Sequence, residues 1–190
     1  MQFKSLRQMI HDAFMTDVKA IDIKALYEEG GIQFTAKGAD GKIMDHVQKG
    51  YVQHALALQR EQDPLSWAWN MFAYSPVGTA GSRERNILSS HALVSFASKH
   101  PDCPVPVAKI GMLARIAMHD ISVEDVTGHR KRRKYEDLGR LFGISGELWQ
   151  KEWHGHYVYF RGLFQALPAK SLPGLGGVIP SHVISDEWQG

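Results

Sequence analysis

Apolar side chains recur at helical spacing over most of the chain. Phe3, Leu6, Met9, Ile10, Ala13, Phe14, Met15, Val18, Ile21 and Leu26 stand mostly three or four apart, which predicts an opening amphipathic helix closed by Gly30-Gly31. Ile43, Val47, Tyr51, Val52, Ala55, Leu56 and Leu58 predict a second helix reaching about Arg60. After Asp63-Pro64 the dense run Leu65 to Tyr74 reads as a short buried helix, stopped at Ser75-Pro76 because proline removes a donor and restricts the residue before it. Arg83 to Lys99 is helical again, with Ile87, Leu88, Ala92, Leu93, Val94 and Phe96 on its apolar side. Pro101, Pro104 and Pro106 mark an extended connection, after which Val107, Ile110, Leu113, Ala114, Ala117 and Met118 predict a helix ending near Asp120. Strand-like alternation is confined to Ile32 and Phe34, ahead of the turn-rich Lys37-Gly38-Ala39-Asp40-Gly41, so a small hairpin near 32–43 competes there with a plain loop.

The fold class this implies is mainly α. Three stretches follow: a helical body over 1–104, a module over 105–167, and an extended Pro- and Gly-rich tail over 168–190. Hydrophobic residues make up 44% of the chain and charged residues 22%, the balance of a chain that folds around a core rather than one that stays disordered.

The formal net charge is only +2, but its distribution is uneven. Between His129 and Arg161 eight Lys or Arg face four Asp or Glu, and the rest of the chain is slightly acidic. The positive field is concentrated at Arg130, Lys131, Arg132, Arg133 and Lys134, which predicts contact with the phosphates of a nucleic acid. Read alone, such a run is a solvated face; what lies next to it changes its meaning.

Tyr135 to Trp149 has the spacing of a helix-turn-helix. Gly139 removes a side chain where two helices come closest, and Gly143 suits the positive φ at which a first helix ends and the chain reverses. Ile144, with Leu138, Leu141 and Phe142, is expected to close the small core between the helices. Ser145 is an N-cap for the second helix, and Leu148 and Trp149 are the positions by which it packs back. Gly146, Glu147, Gln150, Lys151 and His154 then face outward. Gln150 suits adenine and Lys151 guanine, while Glu147 suits either a cytosine amine or the helix N-terminus, so Glu147, Gln150, Lys151 and His154 are the candidate base-edge residues on double-stranded DNA. Trp149 and Trp153, four apart, read as core rather than as stacking platforms for bases.

Other chemistry finds little support. Cys103 is the lone cysteine, and the scattered histidines, His100 with Cys103 or His154 with His156, do not form the two tight pairs that tetrahedral zinc uses, so no metal and no cofactor is expected. The pairs Glu28-Glu29 and Glu124-Asp125 are common surface chemistry, and Ser122 with Asp125 reads as a variant capping box opening a helix. No GxSxG, HExxH or Walker loop occurs, and Leu172 to Gly177 follows no strand, so the chain does not read as an enzyme. No apolar run is long enough to span a membrane and the opening residues do not form a secretory signal, which leaves the cytoplasm as the expected location.

The order of parts, a helical body, a basic run, Tyr135-Glu136-Asp137-Leu138-Gly139-Arg140-Leu141-Phe142-Gly143-Ile144-Ser145, then Trp149 and Trp153, resembles the Q-type late-gene antitermination proteins of temperate, lambdoid-like bacteriophages. The resemblance covers mainly Asp120 to Leu167, with a softer echo at Trp67 to Tyr74. It implies binding to a DNA element near a late promoter, engagement of paused host RNA polymerase carrying its sigma factor, and readthrough of terminators. Some members carry a Cys-rich zinc-binding insertion, which a chain with Cys103 alone does not supply. The same residues also fit a dimeric helix-turn-helix repressor or activator, or a helical protein-binding module without a nucleic-acid role.

Overall fold

The structure, a computed structural model, describes residues 6–14, 40–75, 81–130, 133–177 and 179, with side chains in the second stretch from Lys49 onward. Every regular element among them is helical: α1 (Leu6–Phe14), α2 (Asp40–Gln62), α3 (Pro64–Tyr74), α4 (Ser82–Lys99), α5 (Val107–Thr127), α6 (Tyr135–Phe142), α7 (Gly146–Leu148), a π turn (Trp149–Trp153) and α8 (His154–Gly176).

Helix α3 is the centre of the bundle and packs on α1, α2, α4, α5 and α8. That is why its sequence has almost no polar face: a helix surrounded on all sides must be apolar all round. Asp63 opens it, accepting the Ser66 amide at 3.1 Å and the Ser66 hydroxyl at 2.8 Å, with Pro64 in the first turn where its missing N–H costs nothing. Its end at Ser75, in extended backbone, is the conformation that a following proline imposes. Trp69 is fully buried and stacks on Phe164 of α8, while Phe96 of α4 stacks on Phe160.

Three expectations are corrected. Residues 40–43, in the stretch where a small hairpin competed with a plain loop, form the first turn of α2; the rest of that stretch, 32–39, lies outside the described residues. Gly41 is compatible with a helix start, where propensity is a weak constraint. Helix α5 does not end near Asp120 but runs to Thr127 and stops at Gly128, whose φ of 70° is left-handed. Ser122 and Asp125 therefore open no helix; the Ser122 hydroxyl donates to the carbonyl of His119 at 2.9 Å, and Asp125 receives Arg7 and Tyr74. Asp120 made the helix look finished because a carboxylate on the apolar side reads as a stop, although here it is an inward position.

The tail is the third. Residues 168–176 are not extended but continue α8 straight through Pro168 and Pro173. An interior proline costs about 3 kcal/mol. Burial of Leu167, Leu172 and Leu175, each worth roughly 1.5–3 kcal/mol, offsets it, and Gln59 and Asn70 donate to the Ser171 carbonyl at 2.8 and 3.3 Å inside the fold.

Helices α4 and α5, on either side of the expected boundary at 104/105, pack directly, and α8 packs on α5, α3, α2 and α1. One apolar cluster runs from Leu6 to Ile179 and takes in Leu138, Phe142 and Trp149. Body and C-terminal helices thus share a core.

Candidate nucleic-acid interface

Helix α6 carries Glu136 and Asp137 in its first turn and Arg140 in its last, each on the end its charge suits. At Gly143 the backbone enters the left-handed region (φ 70°, ψ 30°), and the Ile144 amide returns to the Gly139 carbonyl at 3.0 Å. Ser145 then caps the next helical run, its hydroxyl accepting the Leu148 amide at 3.2 Å. The reversal takes three residues.

Two glycines make that reversal sterically allowed. A Cβ on Gly139 would stand 2.7 Å from the Ile144 carbonyl oxygen and 2.9 Å from that of Ser145, and one on Gly146 would stand 3.1 Å from the Glu136 amide nitrogen. Gly146, expected to face outward, is therefore a crossing point. Behind the turn, Phe142 packs its ring 5.1 Å from Trp149 and 4.9 Å from Trp153, and those two indoles stack on each other. Leu138 and Trp149 are buried and Ile144 packs on the cluster. Leu141 does not join them: it is 55% exposed, because α6 is two turns long and only one of its faces meets the rest of the fold; Leu148, the last residue of α7, is 37% exposed.

The second helical run widens into a π turn at Trp149–Trp153, an irregularity that often accompanies functional sites. Trp149, Trp153 and Tyr157 all face inward. Nothing in the hydrophobic pattern distinguishes this turn from α-helix. On the opposite side Glu147, Gln150 and Lys151 are exposed. His154 is not free in the same way; it is half-buried with its ring edge against Tyr135, centroids 5.3 Å apart, and its Nδ1 is buried.

The basic segment divides. Arg130 and Lys134 are exposed, and Lys131 and Arg132 lie outside the described residues. Arg133, expected among the phosphate-contacting residues, is engaged inside the fold: Nε and Nη2 each lie 2.7 Å from an oxygen of Asp120, a bidentate pair. Asp120 is fully buried and also accepts the Tyr157 hydroxyl at 2.7 Å. Burial and this bond to a carboxylate push the Tyr157 phenol up to about 12. Arg161 reaches the Tyr157 oxygen at 3.4 Å and Glu124 at 2.6 Å, so a polar chain runs between α5 and α8. A carboxylate stripped of water demands such partners. The sequence signal that would have found this network was an aspartate on the apolar side of α5 with arginines downstream. The charges lining the cleft between α1, α5 and α8 are likewise paired, Arg7 with Asp125 at 2.7 Å.

Cys103 and His156, far apart in sequence, meet at 3.9 Å between Sγ and Nε2, with the His100 ring 5.5 Å from that of His156. Among the described residues no group of three or more His, Cys, Asp or Glu has the arrangement of a metal site. Burial, and then the nearby His100, lower the His156 pKa below its ordinary value; burial and Lys170 do the same at His91. The folded state takes up protons on both imidazoles less readily than the unfolded chain, which does so below about pH 6.5. Their contribution to stability is therefore complete above that value and is lost as pH falls through the lower folded values. Urea melts between pH 7.5 and 5 should show declining stability, with a shallower decline in His156→Gln; equal slopes would refute the assignment.

Comparison with known protein families, curated proteins and solved structures finds no match for this chain. No helix among the described residues is long and apolar enough to cross a membrane.

Proposed function

We propose that residues 135–154 act as a helix-turn-helix on double-stranded DNA, and that the chain works as a late-gene antiterminator, binding near a promoter and engaging paused host RNA polymerase with its sigma factor. One observation carries the DNA reading. The left-handed turn at Gly143 sets a capped second helical run whose exposed positions include Glu147, Gln150 and Lys151, beside Leu148 and Glu152, with the basic residues Arg130 and Lys134 exposed just upstream. Outward Gln and Lys have the donors and acceptors that base edges take, and the upstream cations supply affinity without sequence information. The antitermination part rests on the resemblance of Asp120 to Leu167 to the phage proteins.

The two groups of residues should behave differently. Gln150→Ala with Lys151→Ala should reduce discrimination between a selected site and random duplex by about 1–3 kcal/mol for each base edge left unread. Arg130→Gln with Lys134→Gln should weaken both duplexes alike and flatten the dependence of log K on log salt by roughly 0.9 for each phosphate no longer neutralised. Gel-shift titrations at several salt concentrations read both; identical losses in both variants would refute the division. Transcription in vitro with purified polymerase, on a template with a promoter-proximal pause and a downstream terminator, tests the second part. Readthrough that needs a nearby DNA element supports antitermination. Specific binding without readthrough, at palindromic half-sites spaced by helical turns, selects the dimeric regulator instead.

A further inference from the structure

The first four turns of α5 form a second surface beside this site. From Val107 to His119 the helix carries Lys109 and Arg115 and no carboxylate. Ala108, Met112, Arg115 and His119 follow one another at helical intervals of three or four and are all exposed, as is Lys109 on the flank of that stripe. Neither Lys109 nor Arg115 meets a carboxylate among the described residues. Two contacts fix this face to the candidate DNA-reading elements. At one end the Lys109 ammonium lies 5.9 Å from the centre of the Trp153 ring, directly under the second helical run. At the other, Arg133 bonds to Asp120, so the end of the basic segment is held one residue beyond His119.

We infer that the exposed face of α5 between Lys109 and His119 is a second phosphate-contacting surface, extending the footprint on duplex DNA beyond the helix-turn-helix; this rests on the DNA reading above. Charge selects the occupant. A face with cations and no acid, held beside the second helical run, is complementary to a polyanion. Lys109 and Arg115 are about 9 Å apart along the helix axis at 1.5 Å per residue. Contacts from this face would fix how the second helix lies in its groove while adding no sequence preference.

The test is salt-dependent gel-shift titration of the full chain on a selected site and on random duplex. Lys109→Gln with Arg115→Gln should flatten the salt slope by about 1 to 2, since each phosphate neutralised contributes roughly 0.9. It should weaken both duplexes by the same factor and leave helical circular dichroism unchanged, because both residues are exposed and the Lys109 contact with Trp153 lies at the surface. Hydroxyl-radical footprints should lose protection at one edge only. A wild-type slope in this variant, alongside a flattened slope in Arg130→Gln with Lys134→Gln, overturns the inference and leaves the DNA reading standing. Absence of salt-dependent binding by the wild-type chain overturns both. A preferential loss on the selected site overturns the inference too, because it would make the face a reader of bases.

Discussion

Asp120→Ala should destabilise the protein by about 3–5 kcal/mol, the usual cost of removing one partner from a buried ion pair. The carboxylate has no exposure, and its bonds among the described residues include two from Arg133 and one from Tyr157. Without it the Tyr157 hydroxyl loses the acceptor for its proton and the inner side of a guanidinium is left desolvated and unpaired. Against a total stability of about 5–15 kcal/mol for an ordinary domain, that loss is a large fraction. Asp120→Asn keeps the shape but not the charge and should cost less. Arg133→Gln should cost less still, because the arginine side chain retains 28% of its exposure and can be replaced in part by water. Urea denaturation of the three variants gives the order directly. A loss below about 1 kcal/mol for Asp120→Ala, the range of an exposed pair, would show that the network is decorative. On the proposed DNA reading, because Arg133 ties the basic segment to α5, breaking the pair should loosen Arg130 and Lys134 and lower affinity for duplex DNA in variants that still fold.

Gly139→Ala should cost more than Gly143→Ala, the reverse of what backbone conformation alone would suggest. Gly143 has φ of 70°, but a methyl there meets nothing within 4 Å, so the cost is the left-handed penalty of about 1–2 kcal/mol. Gly139 is an ordinary helical residue whose added Cβ would stand 2.7, 2.9 and 3.0 Å from backbone atoms of Ile144 and Ser145. Backbone cannot swing aside as a side chain does, so the turn itself must move, at the upper end of or beyond the roughly 1–3 kcal/mol typical of overpacking. Moving it displaces the Ser145 cap and the start of the second helical run. Gly139→Leu should be worse, splaying α6 from the Trp149–Trp153 pair. Thermal melts rank the variants, and tryptophan fluorescence reports exposure of the indoles. A neutral Gly139→Ala would mean that the close approach does not hold in solution.

How far the sequence could be read differs from part to part. Helices α3, α4 and α6 were legible because each has a strong local signature: an apolar run bounded by Asp63-Pro64 and Ser75-Pro76, an amphipathic stripe, a glycine where the chain turns. The inward placing of Trp149 and Trp153 followed from their spacing. Legibility failed wherever a partner distant in sequence set the outcome. Leu141 and Leu148 were expected inside; α6 is too short to bury two faces, which leaves Leu141 out, and Leu148 ends the single turn of α7 on its open side. His154 was expected outside, but Tyr135 covers part of its ring. Arg133 is indistinguishable from its basic neighbours until Asp120, thirteen residues earlier, is placed beside it by the fold.

By itself the sequence determined the helical class, the element order through the middle of the chain and the turn at Gly143, because hydrophobic period, capping residues and glycine conformational freedom act over a few neighbouring residues. Only the tertiary structure decided that α5 passes Asp120, that α8 runs through two prolines, and that body and C-terminal helices share one core. Each of those outcomes sets a local cost, a buried charge or a missing amide, against burial and pairing supplied by residues far along the chain. Local pattern records the cost; the compensation exists only once the chain is folded.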